Sequence, residues 1–133
     1  MFWNKNKKSN LGRLGEKAAA KYLKQKGYKI IARNFQNAKG KRVGEIDIIA
    51  KEKGQFVFVE VKTREMEDHD GILPEESITR QKLYKLRKIA EVYIRENNLW
   101  DFPYRFDAVS VWVSQDQKTA KVKHLKSIFC RKI

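Results

Sequence analysis

Apolar and polar residues alternate along two neighbouring runs, residues 45–51 and 55–63, inside the stretch GEIDIIAKEKGQFVFVEVKTR that spans residues 44–64. Alternation with period two predicts strands, and Lys53-Gly54 between them suits a tight two-residue hairpin turn. With those two residues as the loop, Glu52 faces Gln55, and counting back sets Asp47 opposite Glu60 and Glu45 opposite Lys62, all four on one face. The other face carries Ile46, Ile48 and Ala50 against Val57, Val59 and Val61, apolar enough to be core.

The pattern changes to a helical period on either side of this hairpin. A helix is expected from about 11 to 26, ending at Gly27 as C-cap, with Leu11, Gly12, Gly15, Ala18, Ala19, Tyr22 and Leu23 on one arc and a basic ridge of Arg13, Lys17, Lys21 and Lys24. Glu16 lies at the seam between arc and ridge, so it reads either as an acid aimed at the hairpin or as a surface ion-pair partner of Lys17 or Lys21. Residues 28–35 read as a strand. A second helix is expected from an N-cap at Thr79 to about 97, with Leu83, Leu86, Ile89, Ala90, Tyr93 and Ile94 inward. Residues 105–113 and 120–125 read as an interior and an edge strand joined by a turn. The acidic stretch 65–76, broken by Gly71 and Pro74, reads as a mobile loop whose acids and His69 are solvated. Helix, three strands, helix and two strands make an α/β fold with a mixed central sheet of about five strands.

Two carboxylates facing each other at roughly 5 Å repel by about 3 kcal/mol at an effective dielectric near 20. A shifted proton, a nearby ammonium or a divalent cation must offset that repulsion. Lys62 could be the ammonium, or could orient a water for attack on a phosphodiester. The triplet acid-x-Lys is weak by itself: 16 acids and 21 lysines in 133 residues supply about 2.5 by chance, and the chain has two, at Glu60 and at Asp116. Context separates them, because Glu60 and Lys62 end an apolar strand whereas Asp116 sits in a polar turn. A solvated cross-strand ion cluster on an exposed sheet face remains the alternative. Asp107 could be a fourth acid, or could pair with Arg105 or Arg64.

Charge adds a partner to this picture. The formal net charge is +14, and residues 1–44 hold thirteen Lys or Arg against the single acid Glu16. Such a balance points to a polyanion, nucleic acid before anionic membrane. One cysteine, Cys130, excludes an internal disulfide, and only two histidines argue against zinc. No signal-peptide run and no stretch near ~20 apolar residues is present, so a cytoplasmic, single-domain protein with a frayed N-terminus at 1–10 is expected.

Gly15-Glu16-Lys17-Ala18-Ala19, Tyr22-Leu23, Gly27-Tyr28, Arg33-Asn34, Gly44-Glu45-Ile46-Asp47, Phe58-Val59-Glu60-Val61-Lys62-Thr63-Arg64, Lys82 and Arg105-Phe106-Asp107 together resemble the YraN-like family of small bacterial proteins over nearly the whole chain. That family looks like the restriction-endonuclease-like, PD-(D/E)xK superfamily, and within it most like archaeal Holliday-junction resolvases. The resemblance implies a restriction-endonuclease-like fold and a Mg²⁺- or Mn²⁺-dependent endonuclease. Glu16, Asp47 and Glu60 would be the metal ligands and Lys62 the catalytic lysine; the basic ridge of Arg13, Lys17, Lys21 and Lys24, with Arg64 and Lys82, is expected on phosphates by its charge and placement. DNA is expected before RNA, with branched DNA a candidate substrate and a homodimer a candidate assembly. A binding module of nuclease fold without cleavage is the rival expectation. Ile46 stands where the superfamily often has proline before the first aspartate.

Overall fold

The protein is described by a computed structural model over residues 9–66 and 79–128. Ser9 begins helix α1 (Asn10–Gln25) by accepting the Gly12 amide at 3.1 Å on its Oγ, which satisfies one of the amides a helix start leaves open. Strands β1 (Lys29–Gln36), β2 (Glu45–Glu52) and β3 (Gln55–Glu65) follow as an antiparallel meander. Thr79 caps helix α2 (Arg80–Glu96) through the Lys82 amide, and β4 (Tyr104–Val113) and β5 (Ala120–Leu125) complete the sheet. Each helix and strand lies within a residue or two of its expected position. The expectations for the loop at 67–76, including His69, fall outside the described residues, as do Cys130 and most of the 1–10 terminus.

The sheet order is β1-β2-β3-β4-β5, with β3 and β4 the parallel pair. A parallel step cannot be made by a tight turn, and α2 occupies the crossover between β3 and β4. The sheet is therefore covered on both faces and carries two cores rather than the single core the alternation suggested. On one face Ala19, Ala20 and Leu23 of α1 meet Ile48, Ala50, Val57, Val59, Val109 and Val111. On the other, Leu86, Ile89, Ala90, Tyr93 and Ile94 of α2 meet Ile46, Ile49, Phe56, Phe58 and Phe106. This α/β architecture, a five-strand mixed sheet between two helices, is compatible with a restriction-endonuclease-like fold.

The hairpin turn is as read: Lys53 and Gly54 both have positive φ, 51° and 79°, the pair of left-handed residues that matches strand twist. Pairing starts at Glu52 with Gln55 and continues to Ile48 with Val59. There it stops, so the facing pairs expected of Asp47 with Glu60 and Glu45 with Lys62 are not formed. The reason lies one strand away. Asn34 in β1 has φ 55°, and around it Ala32 and Phe35, three residues apart, both pack on the α2 side, as do Ile49 and Ile46 beside them. Residues three apart in a regular strand face opposite ways. β1 and β2 therefore turn over at Asn34 and Asp47, which sends Ile46 to the opposite core from Ile48 and splays β2 from β3.

Candidate functional site

The splay leaves backbone groups of β3 without a strand partner, and a side chain takes over. Asp47 Oδ2 accepts the Val61 amide at 2.8 Å, standing where a carbonyl of β2 would otherwise stand. Asp47 is 7% exposed, which rules out a solvated cluster on an open face. Val61 is flanked by the half-buried Glu60 and Lys62, so one backbone amide ties the first acid to the second acid and the lysine.

Glu16 reaches the same place from α1. Gly15 is packed against β3 so closely that an added Cβ would lie 1.8 Å from Thr63 Oγ1 and 2.7 Å from its Cβ. Only glycine permits this approach. Glu16 follows at 4% exposure, which excludes the surface ion-pair reading. Its Oε1 is 3.7 Å from Arg33 Nη2. With the Asn34 amide oriented by its hydrogen-bond network, the nitrogen donates to Glu16 Oε1 at 3.2 Å and Glu45 Oε2 at 3.0 Å. The residue whose left-handed backbone turns β1 over thus also anchors Glu16. Its sequence signal was an asparagine inside a strand, a residue type strands disfavour.

A cavity of about 250 Å³ opens between these elements, lined by Ser9, Gly12 and Glu16 on one side and Val61, Lys62 and Thr63 on the other. Lys62 is pushed down to about 8, first by burial, then by a hydrogen bond and charge from Lys82 and the charge of Arg64, against the opposing pull of Glu60. Lys82, in the first turn of α2, therefore stands beside Lys62. With its value near 8, Lys62 is still mostly an ammonium at neutral pH but holds a fraction of free amine that can take up a proton, and the crowded cations favour an anionic oxygen as neighbour.

Among the described residues, no group of three or more His, Cys, Asp or Glu side chains lies close enough to hold a metal ion alone. The donor set still suits Mg²⁺, which is commonly bound by one or two carboxylates, with waters and substrate phosphates completing its shell. Glu16 lines the cavity that Val61 also lines, and Asp47 accepts the Val61 amide.

Arg13, Lys17, Lys21 and Lys24 are exposed on α1, and Arg64 is half-buried next to Lys62. Asp107 is not a fourth site acid. It is fully buried and takes Arg105 Nε at 3.0 Å, the Ser127 amide at 3.0 Å and His124 Nε2 at 2.8 Å. Arg105 reaches on to Tyr28, Glu52 and Gln55, and His124 Nδ1 meets Tyr22 Oη at 3.3 Å. This network ties α1, the hairpin and β4–β5 together and was not legible in the sequence beyond the Arg105–Asp107 pair. Asp116 of the second acid-x-Lys triplet accepts the Ser114 hydroxyl and the Lys118 amide, a turn-bracing role. Among the described residues no helix is long and apolar enough to cross a membrane.

Comparison with known proteins places this geometry in a family. Residues 15–111 match the model of an uncharacterised protein family, UPF0102. A UPF0102 protein of Caldanaerobacter subterraneus subsp. tengcongensis is 43% identical over 92% of this chain and 96% of its own length. A UPF0102 protein of Acetivibrio thermocellus is 37% identical over 94% of this chain and 92% of its own length. A third, from Syntrophomonas wolfei subsp. wolfei, is 40% identical over 90% and 96%.

Proposed function

The chain belongs to the uncharacterised, YraN-like protein family UPF0102, and from that premise and its site we propose a metal-dependent endonuclease of the PD-(D/E)xK superfamily that hydrolyses phosphodiester bonds in DNA. What supports this reading is buried Asp47 on the Val61 amide, between Glu60 and the weakly basic Lys62, with buried Glu16 lining the same cavity as Val61 and Lys62.

One or two of the acids Glu16, Asp47 and Glu60 would hold Mg²⁺ or Mn²⁺, with waters and a substrate phosphate completing the shell. When bound, the ion supplies Lewis acidity to the phosphoryl oxygens. Lys62 orients the attacking water and accepts its proton, a role its depressed basicity suits. Lys82 and Arg64 steady phosphate oxygens beside it. The ridge of Arg13, Lys17, Lys21 and Lys24 follows the backbone without reading sequence, so binding weakens steeply with salt.

The test is incubation of the purified protein with four-way junction, flap and duplex DNA in Mn²⁺. Cleavage of at least one substrate, abolished in Glu60→Ala and Lys62→Ala, is expected; no cleavage, or cleavage that survives both changes, refutes the proposal. The absence of a three-carboxylate cluster among the described residues favours one rival, a nucleic-acid-binding module that does not cut. Calorimetry separates them, since saturable Mn²⁺ binding lost in Asp47→Ala belongs to the enzyme alone.

A further inference from the structure

Beside the candidate site, a second and larger cavity of about 480 Å³ lies between α1 and the β4–β5 hairpin. Its floor is apolar, with Leu14 and Tyr22 of α1 facing Val122 of β5, and its rim carries Lys17, Lys21 and Lys118. None of the twelve residues that line it is acidic. Tyr22 is held in place by its hydroxyl on His124, and Lys26 Nζ stands 5.8 Å from the centre of its ring, adding a fourth cation at this end of α1.

We propose that this cleft is a subsite for an unpaired nucleotide of the nucleic-acid strand, its base against the Leu14–Tyr22–Val122 floor and its flanking phosphates on Lys17, Lys21 and Lys118. The proposal rests on the reading of the protein as one that acts on nucleic acid, and it narrows the substrate to DNA or RNA with single-stranded character. Three considerations select this occupant. Cations without acids on the rim favour an anionic ligand. A duplex backbone needs only an exposed ridge, whereas a walled recess with an apolar floor suits a base that has left the stack. The cleft is also adjacent to the candidate site: Lys17, which lines it, directly follows Glu16 in α1. A strand held at the candidate site would enter the cleft a short way along its course.

The experiment measures binding of a fluorescein-labelled oligo(dT) by anisotropy in EDTA, so that no cutting is needed. Lys118→Glu and Lys21→Glu, both at exposed positions that leave the core intact, should each weaken oligo(dT) binding at least ten-fold. Lys88→Glu, a change of equal charge on the opposite helix, should weaken it less than three-fold. An abasic oligonucleotide of the same length should bind the wild-type protein several-fold more weakly than oligo(dT). Equal losses for all three lysine variants, equal binding of the abasic strand, equal loss of duplex binding, or displacement by poly-glutamate at matched charge would each overturn the proposal. Cleavage in Mn²⁺ is read separately. A protein that cuts nothing but shows these binding differences loses the endonuclease reading and keeps the subsite, and the converse result does the opposite.

Discussion

Gly15→Ala tests whether the close seat of α1 on β3 is what delivers Glu16 to the site. An alanine Cβ would lie 1.8 Å from Thr63 Oγ1, 2.6 Å from Cγ2 and 2.7 Å from Cβ. Rotating Thr63 about χ1 exchanges its two branches but leaves its Cβ in place, and that atom alone must recede from 2.7 Å to about 3.4 Å for ordinary contact. The helix therefore backs off β3 by about 0.7 Å or more, a strain of roughly 1–3 kcal/mol for overpacking. Alanine's better helix propensity offsets about 1 kcal/mol of it, so the net loss of stability in urea denaturation should be about 0–2 kcal/mol. Function should suffer more. A displacement near 1 Å can cost about 100-fold in rate, so Mn²⁺ affinity and cleavage should fall well beyond what the stability change explains. Removing the obstruction with Thr63→Gly in the double variant should recover much of the loss. Unchanged Mn²⁺ binding and cleavage in Gly15→Ala, or no recovery in the double variant, would refute the idea that this contact positions Glu16.

Asp47 does two jobs that substitutions separate: Asp47→Asn keeps an oxygen for the Val61 amide and should stay within about 1 kcal/mol of wild type, while Asp47→Ala strands that amide and should lose about 1–3 kcal/mol in urea denaturation. Both should lose Mn²⁺ binding in calorimetry, and retained binding in Asp47→Asn would remove Asp47 from the metal ligands. Asp107→Ala leaves Arg105 and His124 facing an empty acceptor and should destabilise by about 3–5 kcal/mol. Burial pushes Asp107 up, but hydrogen bonds from His124, Arg105 and the Ser127 amide, with the Arg105 charge, outweigh it and hold the carboxyl below 3.8. Its stabilisation is thus present above that value and lost as pH falls through the lower folded one, a loss that acid titration of wild type against Asp107→Asn should isolate. Lys62, at about 8 against 10.5, has the same sign in a higher window: between those values the unfolded chain holds more protons, so stability rises with pH there and falls as pH drops through it. Lys82→Met should raise the Lys62 midpoint in NMR of reductively methylated protein, and an unmoved midpoint would show that Lys82 does not act on it.

The hairpin, both helices and the edge strand were legible because each rests on local signals: Lys53-Gly54 for the turn, Thr79 for a cap, apolar spacing for the rest. A shared face for Asp47, Glu60 and Lys62 was read in outline from the same register count, and helical spacing left Glu16 between the hairpin and the surface. Its actual geometry was not, because alternation carried through Ile46 takes no account of a left-handed Asn34 in the neighbouring strand. Gly15 and Thr63 are 48 positions apart, and nothing local marks their contact. The second core was foreshadowed by the unbroken apolar runs Ile48-Ile49-Ala50 and Phe56-Val57-Phe58-Val59, which signal a strand buried on both faces. The His124 network escaped because its partners come from four separate elements.

The single parallel step also has a consequence for a chain made from its N-terminus. Residues through β3 leave the ribosome before the segment that pairs with its free edge and before the helix that covers Phe56 and Phe58. An unpaired apolar strand edge is a template for aggregation. The same nascent segment carries the +12 of residues 1–44, and like-charged chains repel one another. The cations proposed to meet nucleic acid in the finished protein would thus also hold half-made copies apart until β4 arrives.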